Sequence, residues 1–196
     1  MMTKLMKAYK AVLFCILFLV GVPIYAQQTE QTPQSYFPKG SLSLRTNTLP
    51  WLMLVPNAGF EYKASDNIGL IVDGAFARWN LDTSNKYWHV WNIAPQARYY
   101  MGEPKYNYLG LQYMMGEYNL TGTQGSYIGG GLTLGHQFDC GHNLLVDIGL
   151  SLGYLYLYDT EKYTRKNGMN VRTKDKYSHG YWGPTSASIT FVWKIN

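Results

Sequence analysis

At 196 residues the chain has room for one domain, and its 17 Lys+Arg against 12 Asp+Glu give a formal charge of +5. Charged residues make up only 15%, while Tyr reaches 18, Gly 20 and Trp 6; soluble domains usually carry about 25% charge. The basic excess sits largely in the first 26 residues, where Lys4, Lys7 and Lys10 precede an apolar run, Ala11–Val22, and Pro23-Ile24-Tyr25-Ala26. That order of features predicts a signal peptide over 1–26, cut before Gln27. Without its three lysines the chain keeps 14 basic against 12 acidic residues, a net of +2. Nothing then supports nucleic-acid binding, which needs a clustered basic surface. The apolar run is too short to cross a bilayer, which takes about 20 residues.

Residues 27–40 are polar and aperiodic and read as a periplasmic lead-in to a barrel over 41–196. Ser41–Thr48 sets Leu42, Leu44 and Thr46 against Ser43, Arg45 and Asn47, the period of two that marks a strand with two unlike faces. The apolar connection Leu49–Pro56 follows. Asn57–Lys63 alternates Ala58, Phe60 and Tyr62 with Gly59 and Glu61, and Ser65-Asp66-Asn67 makes a turn. Ile68–Trp79 opposes Leu70, Val72 and Phe76 to Asp73. A polar loop at Asp82–Lys86 leads to Tyr87–Met101, where Trp91, Ile93, Ala97, Tyr99 and Met101 oppose Asn92, Gln96 and Arg98.

Gly102–Asn107 turns the chain into Tyr108–Gly116, and a loop at Thr121–Ser126 precedes Tyr127–Gln137, whose Gly129, Gly131 and Gly135 share one face. After the turn Asp139–His142 comes the longest alternation. Asn143–Tyr158 places Leu144, Val146, Ile148, Leu150, Leu152, Tyr154, Tyr156 and Tyr158 opposite Asp147, Gly149, Ser151 and Gly153. At about 15 residues it far exceeds the usual strand of about 5–6. Asp159–Gly180 reads as a long polar loop, and Tyr181–Asn196 as the last strand.

The count is eight, with short connections after the second, fourth and sixth strands and longer ones after the third, fifth and seventh. Together these features predict an all-β, eight-stranded antiparallel up-and-down transmembrane barrel with short periplasmic turns and surface-exposed loops. An even count puts both termini in the periplasm of a Gram-negative cell. A closed ring also leaves no backbone edge unpaired in lipid.

Three stretches, Leu44-Arg45-Thr46-Asn47-Thr48-Leu49, Pro56-Asn57-Ala58-Gly59-Phe60-Glu61 and Ala94-Pro95-Gln96-Ala97-Arg98-Tyr99, resemble an uncharacterised family of small outer-membrane β-barrels from Bacteroidetes, the domain-of-unknown-function 3575 family. Gly149 to Tyr154, Tyr156 to Tyr158 and Gly183-Pro184-Thr185 resemble its C-terminal half. The family often carries Glu at the position of Gln96. The resemblance implies the barrel fold and the outer membrane, and it implies an adhesion-related setting for some members; it implies no reaction.

By strand parity the lumen-facing charges are Arg45, Glu61, Asp73, Arg98, Asp147 and Lys194, three of each sign. Buried charges must pair, so these predict a structural plug in a lumen filled by side chains. Glu61 and Arg98 are expected to meet across the barrel, and the lumenal glycines to make room for long charged side chains. His89, His136, His142 and His179 show no metal-ligand spacing, and neither metal nor cofactor is expected. Ser178-His179 leaves a lipid-modifying enzyme as one alternative, and a secreted lipocalin-like ligand-binding barrel is another. The main expectation is a non-catalytic surface, structural or adhesion-related module held in outer-membrane lipid. Its contact loop would present Lys162, Tyr163, Arg165, Lys166, Arg172, Lys174, Lys176 and Tyr177 to lipopolysaccharide or another surface protein. The lone Cys140 reads as a turn residue.

Overall fold

Alternating apolar and polar side chains give eight strands: β1 Leu42–Asn47, β2 Asn57–Lys63, β3 Ile68–Leu81, β4 Lys86–Met101, β5 Asn107–Leu120, β6 Thr123–Asp139, β7 Leu144–Lys166 and β8 Met169–Lys194. A computed structural model describes residues 37–81, 86–102, 104–120, 122–141, 143–166 and 169–196. The expected signal peptide, positions 27–36 of the lead-in and His142 lie outside the described residues, as do the side chains of Arg165 and Lys166. Each strand pairs antiparallel with the next, and β1 closes the ring on β8 from Ser43↔Lys194 to Asn47↔Thr190. The fold is an all-β, eight-stranded up-and-down barrel.

The start of β1 and the end of β8 meet at one mouth, where the Ile195 N–H donates to the Leu42 carbonyl at 2.8 Å. Phe37, just ahead of β1, is buried there against Leu145 and Val192, which point inward from β7 and β8. This terminal mouth is thereby capped by an apolar cluster.

Strand parity is as the alternation predicts. Phe60, Leu70, Val72, Leu111, Leu132, Leu134 and Ile148 through Tyr158 on alternate positions of β7 are exposed on the outside. Arg45, Glu61, Arg98 and Asp147 are buried inside. The barrel is therefore turned inside out relative to a soluble one, with apolar side chains facing its surroundings.

Connection lengths do not follow the expected short and long alternation. The span between β5 and β6 is as short as the one between β7 and β8, and what differs between the two ends of the barrel is strand length. Asp159–Gly180, expected as a loop, is the distal half of a β7–β8 hairpin, with Lys162↔Lys174, Thr164↔Val171 and Lys166↔Met169 in register. The expected loop Thr121–Ser126 likewise belongs largely to β6, where Glu117↔Ser126 and Leu120↔Thr123 pair with β5. A ribbon in water needs no apolar face to satisfy its backbone, so periodicity does not mark it.

Asp159, with φ +52°, interrupts the β7–β8 ladder, whose register slips between Leu157 and Thr160, while β6 stays paired with β7 as far as Thr123↔Lys162. The extra residue acts as a β-bulge, turning the ribbon relative to the wall.

β1 and β2 stop lower than their neighbours, so Phe76–Leu81 of β3 pair with β4 alone. The gap is filled by the short helix α1, Thr48–Leu52, and the four residues after it. Asn47 caps α1 by accepting from the Leu49 N–H at 3.2 Å. Trp79 Nε1 holds the segment by donating to the Leu54 carbonyl at 2.5 Å, and Phe76 N donates to the Pro56 carbonyl at 3.1 Å.

Candidate functional site

The lumen has two tiers. Its lower tier, toward the terminal mouth, is the charge network that strand parity predicts, with different partners. Arg45 Nη1 donates to Glu61 Oε2 at 2.6 Å on the adjacent strand, and Arg98 Nη1 to Asp147 Oδ2 at 2.5 Å across the lumen. Arg45 Nη1 also lies 3.7 Å from Asp147 Oδ2, joining the two pairs. Arg45 Nε lies 3.6 Å from Asp73 Oδ1. The expected direct pair of Glu61 with Arg98 is absent among the described residues; strand tilt and stagger set which inward residues share a level.

Two tyrosines complete the tier. Tyr100 donates its hydroxyl to Glu61 Oε1, and Tyr108 to Asp147 Oδ1 at 2.7 Å. Gln137 Nε2 reaches Asp147 Oδ2 at 3.1 Å, and Gln96 Oε1 accepts from Arg98 Nε at 2.9 Å. Arg98 stacks over the Tyr108 ring at 3.8 Å, and Lys63 lies over the Tyr100 ring and 3.8 Å from Glu61 Oε1. Lys63 is a lumenal charge that sequence reasoning missed. It stands at the last position of β2, two residues beyond Glu61, and so has the same parity. Lys194 has the inward parity of Thr190 and Val192 but makes no ion pair among the described residues.

The lumenal glycines serve a purpose other than the expected one. A Cβ at Gly131 or Gly153 would strike the backbone of the neighbouring strand, and at Gly149 the Tyr108 hydroxyl. Room for charged side chains comes instead from Gly59 beside Asp73 and Gly69 beside Glu61.

The upper tier contradicts a lumen filled by side chains. Above the network lies a cavity of about 640 Å³ that reaches the far rim at Trp88, Leu120 and Leu157. Val90, Met114 and Leu155 continue its apolar wall, and Met53 and Val55 of the segment after α1 contribute from the side. Arg45, Asp73, Gln96 and Arg98 form its floor. A belt of hydroxyls and amides lies between, where Ser151 and Ser186 both donate to Gln112 Oε1 at 3.0 Å. The sequence carried a signal for this cup. Trp88 and Val90 on β4, Met114 and Leu120 on β5, and Leu155 and Leu157 on β7 are apolar residues on the inward parity, set apart from the inward Leu145 at the opposite, terminal mouth.

The residues expected in the contact loop line up on the ribbon. Arg172 Nη2 donates to Glu161 Oε1 at 2.6 Å, and Tyr163 donates its hydroxyl to Glu161 Oε2. Gln124 Nε2 reaches the same oxygen at 2.9 Å. Lys174 sits 3.9 Å above the Tyr177 ring, and Lys176 lies 3.4 Å from Asp159. Lys162 is exposed. The Tyr163 hydroxyl, Gln124 and Arg172 hold the Glu161 carboxyl below the usual carboxylate range, against the opposing effect of its burial.

Among the histidines, His89 meets Phe76 edge-on, His136 packs against Phe138, and His179 stacks on Tyr177. No group of three metal-ligating side chains occurs among the described residues. Cys140 is exposed in its turn with a free thiol.

Fold and lumen define the class: a closed eight-stranded barrel with an apolar exterior, an ion-paired floor and an open cup above it. The chain belongs to the family described as "Protein of unknown function (DUF3575)", whose model matches residues 12–195. It is also similar to the outer membrane protein AlkL, whose structure was determined by solid-state NMR in DMPC lipid bilayers. That similarity amounts to 10% identity over 87% of this chain and 98% of the other, with a TM-score of 0.42. No curated protein matches the chain significantly.

Proposed function

We propose that the protein is a non-catalytic outer-membrane barrel, exported by its signal peptide, with both termini in the periplasm and the β7–β8 ribbon on the cell surface. The observation that carries this reading is the outward face, on which leucine, isoleucine, valine and aromatic side chains stand exposed on strand after strand. Exposing that band to water would be unfavourable by about 25 cal/mol per Å², whereas a hydrocarbon layer accepts it. Tyr154, Tyr156, Tyr158, Trp79 and Trp182, in the upper part of the wall, suit an interfacial girdle.

The ribbon is the contact surface, offered to a neighbouring surface protein. β8 continues well past its last β1 partner, at Thr190, so from Met169 to Ser186 that edge has no strand beside it among the described residues. An edge of this kind can accept a strand from another chain. Arg172, Lys174 and Lys176 are already engaged within the ribbon, which favours a protein partner over the phosphates of lipopolysaccharide.

The non-catalytic reading draws support from Ser178 and His179. They are successive residues of one strand, so their side chains leave opposite faces and cannot form a nucleophile–base pair.

Membrane fractionation and gel mobility test the anchor. The processed protein should sediment with outer membrane and run faster unheated than boiled; recovery as free soluble protein would overturn the assignment. Crosslinking from residue Lys174 on intact cells should capture a protein. Capture of lipopolysaccharide alone would overturn the choice of partner.

A further inference from the structure

We infer that the upper cup is a binding site for one single-chain amphiphile with an uncharged, hydroxyl-bearing head. The head would lie on the floor at Gln96 and Asp73, and the chain along the Trp88, Met114 and Leu155 wall. The volume of about 640 Å³ falls within the roughly 300–1,000 Å³ of small-molecule sites, which combine apolar walls with a few placed polar groups.

Two observations select the head group. Gln96 is only 6% exposed, and while its Oε1 accepts from Arg98, its Nε2 finds no hydrogen-bond partner among the described residues. Leaving a buried donor unpaired is unfavourable, and this one belongs to a residue that lines the cup. Beside it, the Asp73 side chain is 37% exposed, whereas Glu61 and Asp147 are sealed. Asp73 pairs with Ala94 and Ile71 with Gln96, so the two polar side chains are diagonal neighbours on one lumenal face. The floor thus sets the Gln96 amide, a donor, beside the Asp73 carboxylate, an acceptor, while Arg45 Nε, also without a hydrogen-bond partner, faces Asp73 at 3.6 Å. A hydroxyl matches both, accepting from the Gln96 amide and donating to the Asp73 carboxylate.

Charge argues the same way. Arg45 and Arg98 are engaged by Glu61, Asp73 and Asp147. A carboxylate head would meet Asp73, and an ammonium would meet Arg45 without a free counter-charge. The hydrocarbon chain would extend from the floor toward the rim, past the mutually hydrogen-bonded Gln112, Ser151 and Ser186 and then along the Trp88, Val90, Met114 and Leu155 wall.

The test uses the full barrel in lipid nanodiscs and a dodecanol brominated at its chain end, which quenches nearby tryptophan fluorescence. Quenching should be saturable and lost in Trp88→Phe, and plain dodecanol should displace the probe at about tenfold lower concentration than dodecanoate or dodecylamine. Gln96→Leu should weaken dodecanol by about 2- to 12-fold, the worth of one neutral hydrogen bond. Ala94→Phe, placed on the cup wall, should abolish the saturable component. Leu157→Phe near the rim serves if that variant loses its heat-modifiable band. Purely linear quenching that persists in the filled variants would mean partition into lipid and overturn the site. Preference for dodecanoate, or no response to Gln96→Leu, would overturn the assignment of the head.

Discussion

Arg45 Nη1 donates to Glu61 Oε2 at 2.6 Å across one pair of neighbouring strands, and the same nitrogen stands 3.7 Å from Asp147. This one guanidinium joins the two wings of the floor, Glu61 with Tyr100 on one side and Arg98 with Asp147 on the other. A buried pair is weak evidence of stability in itself, but breaking one strands a charge.

Arg98→Ala should therefore destabilise the barrel by about 3–5 kcal/mol, because Asp147 loses its shortest ionic contact. Replacing both partners, as Arg98→Met with Asp147→Leu, should cost much less than the sum of the single changes. Urea titration of the heat-modifiable gel band measures this. Additive effects below about 1 kcal/mol would place these groups in water.

A floor of paired charges lies beneath the cup, and Phe37, Leu145 and Val192 pack together at the terminal mouth, an arrangement expected to block ion flow. Purified protein should give no stable ion current in planar bilayers. Reproducible single-channel steps would show that the floor opens.

The contrast between what sequence reveals and conceals follows from geometry. A period of two is a property of one strand, so the inward set Arg45, Glu61, Asp73, Arg98 and Asp147 can be read without knowing any neighbour. Which of them touch depends on stagger between strands, and that is why Glu61 meets Arg45 and Tyr100. The cup escapes notice because the outward-facing Tyr154, Tyr156 and Tyr158 make an almost unbroken apolar run with the inward Leu155 and Leu157 of the same strand. The β7–β8 ribbon escapes for the opposite reason: with water on both faces it needs no alternation, and the bulge at Asp159 breaks the parity where it begins.

Close backbone contact makes a further prediction. A Cβ at Gly153 would sit 2.0 Å from the Gly130 carbonyl oxygen, so Gly153→Ala must push β6 and β7 apart. A cost of about 1–3 kcal/mol is expected. At Gly74 the same atom would meet nothing closer than 3.7 Å. Gly74→Ala should then be neutral, or stabilise by about 0.4–1 kcal/mol through the unfolded chain. Paired urea midpoints of the two variants check the contrast; equal losses would mean that the strand contact is not the cause.

The ribbon supplies the pH dependence. Glu161 accepts from Tyr163, Gln124 and Arg172, which hold its carboxyl below the usual range. A group whose folded pKa is depressed stabilises the folded form above its ordinary pKa, and that contribution disappears as pH falls through the folded value. The base of the ribbon should therefore stay closed at neutral pH and loosen only in acid, below the ordinary titration range of glutamate. Arg172 is 46% exposed, so solvent and salt screen its part of the pairing. Hydrogen exchange over Asp159–Gly180 should accelerate at low pH, after correction for intrinsic rates, while β4 and β5 stay protected. Glu161→Gln should remove the acid step and leave the neutral-pH ribbon looser than wild type. A ribbon whose protection is indifferent to both pH and Glu161 would show that hydrogen bonding along the β7–β8 ladder alone holds it upright.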